Sequence, residues 1–303
     1  MSRLAYALLV MSLLGCPFSV LAVETDVDLF VGGGYSDNIT QAGDGWQIPA
    51  ALGRSILDIG LNWKTGKTDN VFLRLNGDTE HFFKVSIPGN TKASIKPGYR
   101  FSLLGGALDT TVSYRLTKNW KHLISTGGAS RSIDTYEYLS TDPYVSHKGS
   151  ISSRYYFDKW KVGTAFDFDR KLYSVDNRNE SIIGAEVNAG FSPASTVELG
   201  VSAGNEVLNS NITNSSYVGP FFEGLGLVQL MPHFFVMALY RYSIRDYGAI
   251  HDDRNKMLLL NLEVELTPSI SLEGDFINTD NSSSHSSYSF QSTEFSSGVS
   301  FHF

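Results

Sequence analysis

The stretch Phe295-Ser296-Ser297-Gly298-Val299-Ser300-Phe301-His302-Phe303 decides the fold of this chain. Phe295, Val299, Phe301 and Phe303 recur at even spacing, while Glu294, Ser296, Gly298, Ser300 and His302 fall between them. A period of two sends successive side chains to opposite faces of a strand, so one face is apolar and aromatic and the other is small and polar. The stretch closes on an aromatic residue, where chain ends are ordinarily polar. A strand that shows aromatics to its surroundings on one face suits a hydrocarbon solvent better than water.

Composition points the same way. Aromatics reach 13% with 15 Tyr and 19 Phe, alongside 28 Gly. After residue 22 there is no apolar run of the roughly 20 residues that a membrane-spanning helix needs. Aromatic-rich, polar on average and poor in helical periodicity is the composition expected of a transmembrane β-barrel, whose strands meet lipid only at alternate residues.

Residues 1–22 read as a secretory signal. Arg3 supplies the positive region, Leu4 to Leu14 the apolar core, and Pro17 precedes Val20-Leu21-Ala22, with cleavage expected near Ala22. The rival reading is a lipoprotein signal, because Leu13-Leu14-Gly15-Cys16 resembles a lipobox. Cys16 is the only cysteine, so conventional cleavage leaves a mature chain with neither disulfide nor thiolate chemistry. Losing Arg3 takes the formal charge from −7 to −8, which argues against nucleic acid as a partner.

Alternating segments recur from residue 23 to 303, a single barrel domain. Leu57, Ile59, Leu61 and Trp63 alternate with Asp58, Asn62 and Lys64, and Leu258, Leu260, Leu262, Val264 and Leu266 with Asn261, Glu263 and Glu265. Tight turns are expected at 65–69, 117–119, 158–159, 192–195, 231–233 and 267–269. Long loops are expected at 37–52, 84–106, 139–148, 173–180, 206–215, 247–256 and 278–286. Proline is read as confined to those connections. The alternation predicts an all-β, antiparallel up-and-down barrel of about 14 strands, with 12 or 16 as alternatives, short turns facing the periplasm and long loops facing outward. Ala93 to Leu104 is the ambiguous segment: an extra strand, an overhang, or a loop folded inward as a constriction. Trp63, Trp120 and Trp160, all beside expected tight turns, suggest a periplasmic aromatic girdle.

The face opposite the apolar columns carries the charges. Its candidate lumen-lining residues are Asp58, Arg74, Asp78, Arg115, Arg154, Asp167, Asp169, Glu186, Glu198, Arg241, Glu263, Glu265, Glu273, Asp275 and Glu294. Charges gathered inside a barrel mean water or dense pairing, because a lone charge in a dry interior is prohibitively costly. Acids dominate the later strands and bases the earlier ones, an arrangement that produces a field across the lumen and a preference for cations.

Nothing in the chain reads as a catalytic, cofactor or metal motif. His81, His122, His147, His233, His251, His285 and His302 lack an evident third partner, and the hydroxyl neighbours in Ser146-His147 and His285-Ser286 point to opposite faces of a strand. The acid pairs at Asp252-Asp253, Asp176-Asn177 and Asp280-Asn281 do not have the spacing of a calcium loop and read as solvated loop residues.

The terminal strand resembles that of Gram-negative outer-membrane β-barrels, in which a closing Phe is the signal for the barrel-assembly machinery. That resemblance implies the role of assembly signal for Phe301 and Phe303, and an outer-membrane location among lipid and lipopolysaccharide. The first strand, Val27-Asp-Leu-Phe-Val-Gly-Gly-Gly-Tyr35-Ser-Asp37-Asn38-Ile39, resembles the opening of barrels associated with exopolysaccharide loci. It implies a conduit for a polysaccharide or oligosaccharide, working with separate periplasmic export partners. Three readings stand at this point: a porin-like channel for a hydrophilic solute, a plugged surface barrel whose loops bind a partner, and a lipid-modifying enzyme with an acid–His–Ser trio near the outer leaflet. The first is the expectation, and no enzymatic activity is expected.

Overall fold

A computed structural model describes residues 23–38, 49–66, 68–83, 89–122, 143–174, 178–212, 215–248 and 250–303. The expected signal sequence with Cys16, and Asp176-Asn177, lie outside the described residues. Fourteen strands close into one antiparallel barrel in which each strand pairs with its sequence neighbours and the first pairs with the last. They are β1 (Val23–Ser36), β2 (Ala50–Lys64), β3 (Asn70–Phe83), β4 (Gly89–Leu103), β5 (Leu108–His122), β6 (Tyr144–Phe157) and β7 (Trp160–Tyr173). The second half comprises β8 (Asn179–Ala194), β9 (Val197–Ser210), β10 (Tyr217–Met231), β11 (Phe234–Asp246), β12 (Asp252–Thr267), β13 (Ile270–Ser283) and β14 (Phe290–His302). At 13–16 residues the strands are longer than the 9–11 or so that a bilayer requires, so the barrel wall extends beyond the apolar band.

The closure explains the sequence at both ends. Leu29 faces Phe301 and Tyr35 faces Phe295 across the seam. Beyond the last strand residue, Phe303 N–H donates to the Val27 carbonyl at 2.9 Å and Val27 N–H returns a bond to the Phe303 carbonyl at 3.1 Å. The aromatic column of the terminal strand therefore lies on the outer face beside β1.

The expected strand number holds, but its bookkeeping changes. Of the expected loop at 84–106, residues 84–88 lie outside the described residues, and Gly89–Leu103 is the wall strand β4, hydrogen-bonded to β3 and β5, and so is neither an outward loop nor an inward constriction. Thr117-Lys118-Asn119 is not a turn but lies within β5, facing Ser146, Val145 and Tyr144. The tight turn instead falls after β4, where Leu104, Gly105 and Gly106 all take positive φ. Loop assignments at 37–52, 139–148, 173–180, 206–215, 247–256 and 278–286 likewise lose residues to the flanking strands; Asp252 and Asp253 are strand residues of β12, Asp253 being buried, and Asp280 and Asn281 are strand residues of β13.

Proline misled the reading. Pro97 faces Leu73 in mid-β4, and Pro220 faces Asn205 in β10. A missing donor is tolerated at Pro97 because the β4–β5 ladder is interrupted there, resuming at Gly98 opposite Ser113. Trp120 accordingly sits near the outer end of β5, while Trp63 and Trp160 stay beside short turns with Tyr99–Phe101 and Tyr155–Phe157, whose rings stack at 5.6 and 5.9 Å. The girdle thus has aromatics at both rims, as barrels in bilayers do.

Some inner-face rings lie flat over glycines of the next strand. A Cβ at Gly98 would meet the Phe72 ring at 2.1 Å, and one at Gly298 would meet the Phe30 ring at 2.5 Å. The ring thereby covers backbone that glycine leaves bare, which stabilises an otherwise weak strand position.

Candidate functional site: the lumen wall

Cross-strand partners share a face, so the register assigns every residue to the inner or outer wall. Leu262 is opposite Val236 and Gly274, and Leu57 is opposite Leu29 and Gly77; these belong to the outer face with most of the exposed large apolar side chains. All fifteen acids and bases selected from the sequence fall on the other, concave face. With strands about 4.8 Å apart and tilted by about 40°, fourteen of them enclose a wall about 28 Å across.

Charge is divided between two opposite arcs. On β12, β13, β14 and β1 the inward ionisable residues are acids apart from His302: Asp253, Glu263, Glu265, Glu273, Asp275, Glu294, Asp28, Asp26 and Glu24. Glu263 stands opposite Glu273, and Asp28 opposite Asp58. Several of these carboxylates accept from neutral donors: Asn261 Nδ2 donates to Asp275 at 2.9 Å, Ser296 Oγ donates to the same carboxylate at 3.3 Å, and Ser300 Oγ donates to Glu273. Neutral donors leave the negative charge uncancelled.

The facing arc, β4 to β6, carries Lys92, Lys96, Arg100, Arg115, Lys148 and Arg154, with Asp109 as an acid among them. Other inner-face charges pair, some at the edges of these arcs. Arg54 Nε and Nη2 donate to the two oxygens of Asp78 at 3.2 and 3.1 Å, Arg74 reaches Asp58 at 3.4 Å, Lys148 reaches Asp167 at 3.4 Å, and Lys161 bonds Glu198.

A recess of about 280 Å³ opens in the acidic arc, lined by Asp28, Phe30, Arg54, Ile56, Asp58, Glu273, Asp275, Ser300 and His302. Here the structure corrects the reading of His302 as lacking a third partner. Its Nδ1 is 2.6 Å from Asp28 Oδ1, and its Nε2 is 3.2 Å from Ser271 Oγ. This acid–His–Ser order lies at the short-turn end rather than near the outer rim, and Ser271 is 0% exposed, so no substrate reaches its hydroxyl in this conformation. The three side chains tie β1, β13 and β14 together across the seam.

Sequence reasoning missed two parts of the wall. Lys92, Lys96 and Arg100 were hidden by the loop assignment at 84–106, although Lys92, Ser94 and Lys96 alternate with Ala93, Ile95 and Pro97. An apolar inner patch, with Leu225 opposite Leu239 and Leu227 opposite Met237, was also missed. Its signal is the unbroken run Phe234-Phe-Val-Met-Ala-Leu239, since a strand apolar on both faces shows no alternation.

No protein-family model and no curated protein sequence matches the chain. Solved structures do. Salmonella typhi OmpF in complex with daunomycin aligns over 93% of this chain and 98% of its own, with TM-score 0.56 and 11% identity. An anion-selective porin from Comamonas acidovorans aligns over 93% and 99%, with TM-score 0.53 and 10% identity. The outer membrane channel DcaP of Acinetobacter baumannii aligns over 93% and 98%, with TM-score 0.52 and 13% identity. At such identities the likeness is one of fold. The fold shared with these structures is that of the outer-membrane β-barrel, here in a closed antiparallel form of 14 strands.

Proposed function

We propose that this chain is a porin-like channel of the Gram-negative outer membrane, passing hydrophilic solutes through a charge-divided lumen. The observation that carries the reading is the separation of an acidic arc on β12–β14 and β1 from a basic arc on β4–β6. Like charges placed side by side on a wall are destabilising, and a dry interior would make them prohibitive. Water and mobile ions in the lumen remove most of that cost, and the remaining field orients dipolar or charged solutes. The similarity of the fold to porins and an outer-membrane channel supports the same reading. A sugar chain is the solute class suggested by the first strand, with periplasmic partners delivering it. We read the barrel as a conduit rather than an enzyme, the His302 trio serving to hold its seam.

Swelling of liposomes carrying the refolded protein tests this. Neutral sugars are expected to enter at rates that fall with size, and impermeability to the smallest monosaccharide would refute the channel. Glu263→Gln combined with Glu273→Gln is expected to keep the fold and lower the preference for potassium over chloride. The shift should be largest in dilute salt, because at 1 M the screening length is only about 3 Å. An unchanged reversal potential in 0.1 M salt would show that these acids do not face the conducting path.

A further inference from the structure

Lys96 and Arg115 stand side by side without a counter-ion. Arg74 is opposite Lys96, Arg115 is opposite Lys148, and the β4–β5 register, with Ile95 facing Leu116 and Gly98 facing Ser113, puts Lys96 next to Arg115. Four cations thus occupy one row across four adjacent strands, about 14 Å from end to end at ordinary strand spacing. The ends of the row are neutralised, Arg74 by Asp58 at 3.4 Å and Asp26 at 3.8 Å, Lys148 by Asp167 at 3.4 Å. The middle is not: among the described residues neither Lys96 nor Arg115 has a carboxylate within ion-pair distance.

Hydroxyl groups flank the pair. Ser94 and Thr117 are opposite each other one inward position to one side, and Ser113 and Ser150, 2.8 Å apart, lie on the other. Arg115 is exposed, so its guanidinium is open to solvent in the lumen. Two adjacent cations, unpaired and bordered by hydroxyl donors, match an oxyanion, which takes charge-assisted hydrogen bonds from each.

The register also makes the row oblique. Followed from partner to partner across the strands, it starts at Asp26 near the short-turn end of β1 and reaches Leu208 opposite Tyr217 at the other end of the wall. The cations therefore climb the wall in steps rather than forming a level ring.

We propose that Lys96 and Arg115 form an oxyanion-binding site on the lumen wall, and that the solute of this barrel is acidic, carrying carboxylate or phosphate groups. Arg74 and Lys148 extend the site along the oblique row for a solute with more than one such group. The transport half of this proposal rests on the channel reading; the binding half does not.

Calorimetric titration of the refolded full chain in detergent micelles, using citrate, inorganic phosphate and maltotriose as probes, tests it. Saturable binding of citrate or phosphate is expected, and which of them binds tighter identifies the preferred oxyanion. Maltotriose is expected not to bind. Lys96→Gln with Arg115→Gln should weaken the anion at least about tenfold, while Glu263→Gln with Glu273→Gln on the facing wall should not weaken it. Should the double Gln variant fail to fold, Arg115→Ala alone is measured, with folding checked by the slower gel migration of heat-denatured protein. Equal citrate binding by a folded variant and wild type, or no anion binding by wild type, overturns the proposal. Anion binding without liposome swelling would leave the site standing and remove the channel.

Discussion

Leu262→Arg is expected to destabilise the refolded barrel by about 2–4 kcal/mol in lipid, while Glu263→Gln one residue away leaves folding nearly unchanged. Leu262 is central in the outer-face apolar column Leu258, Leu260, Leu262, Val264 and Leu266 of β12, flanked by Val236 and Gly274. It is 46% exposed, and in a bilayer what it is exposed to is hydrocarbon. A guanidinium there loses its hydration unless it snorkels to the interface, a path that shortens toward the rim. The size of the effect therefore reports depth as well as face, and Leu266→Arg, nearer the short turns, should cost less. Glu263 points inward, opposite Glu273, where removing one of two facing negative charges relieves repulsion. Guanidinium unfolding in vesicles, read from tryptophan fluorescence, gives both values. Equal destabilisation by the two substitutions would mean that the face assignment is wrong.

The second large effect is expected at Phe72, which is 8% exposed although it lies on the inner face of the wall. Its ring occupies the space where a Cβ of Gly98 would stand, only 2.1 Å away. Phe72→Ala should cost about 3–5 kcal/mol, the usual range for emptying a buried aromatic site. Gly98→Val should also destabilise strongly, because the ring must move. Gly77 on the neighbouring outer face is a control: nothing lies within 4 Å of its Cβ position, so Gly77→Ala should be close to neutral. Comparable losses at Gly77 and Gly98 would show that the ring contact does not set the sensitivity.

The two faces of each strand were legible because period-two alternation is a local property, and a charge at Glu263 between Leu262 and Val264 declares its side without knowledge of its neighbours. Boundaries were less legible where local cues conflicted. Pro97, Gly98 and three cations made Gly89–Leu103 look like a connection, whereas pairing on both sides outweighs the single donor that proline removes. The row formed by Arg74, Lys96, Arg115 and Lys148 was not legible at all. Each cation sits on a different strand, and only the stagger between strands brings them together. The same holds for His302 and its partners Asp28 and Ser271, far apart in the chain and joined by barrel closure. Pairing register is set by the whole sheet and its turns, so a site built from it has no sequence motif.

The register also changes what a deletion would reveal. Excising residues 84–106 would remove a wall strand together with its bonds to β3 and β5, so loss of the fold rather than release of a gate is the expected outcome.

The most direct test of the central account is the current carried by the refolded chain in a planar bilayer under a potassium chloride gradient. A charge-divided, water-filled lumen predicts discrete conductance steps with a reversal potential displaced toward that of potassium, since acids outnumber bases on the inner wall, and a displacement that collapses in 1 M salt. Silence under every gradient, in protein whose gel migration confirms a folded barrel, would contradict it.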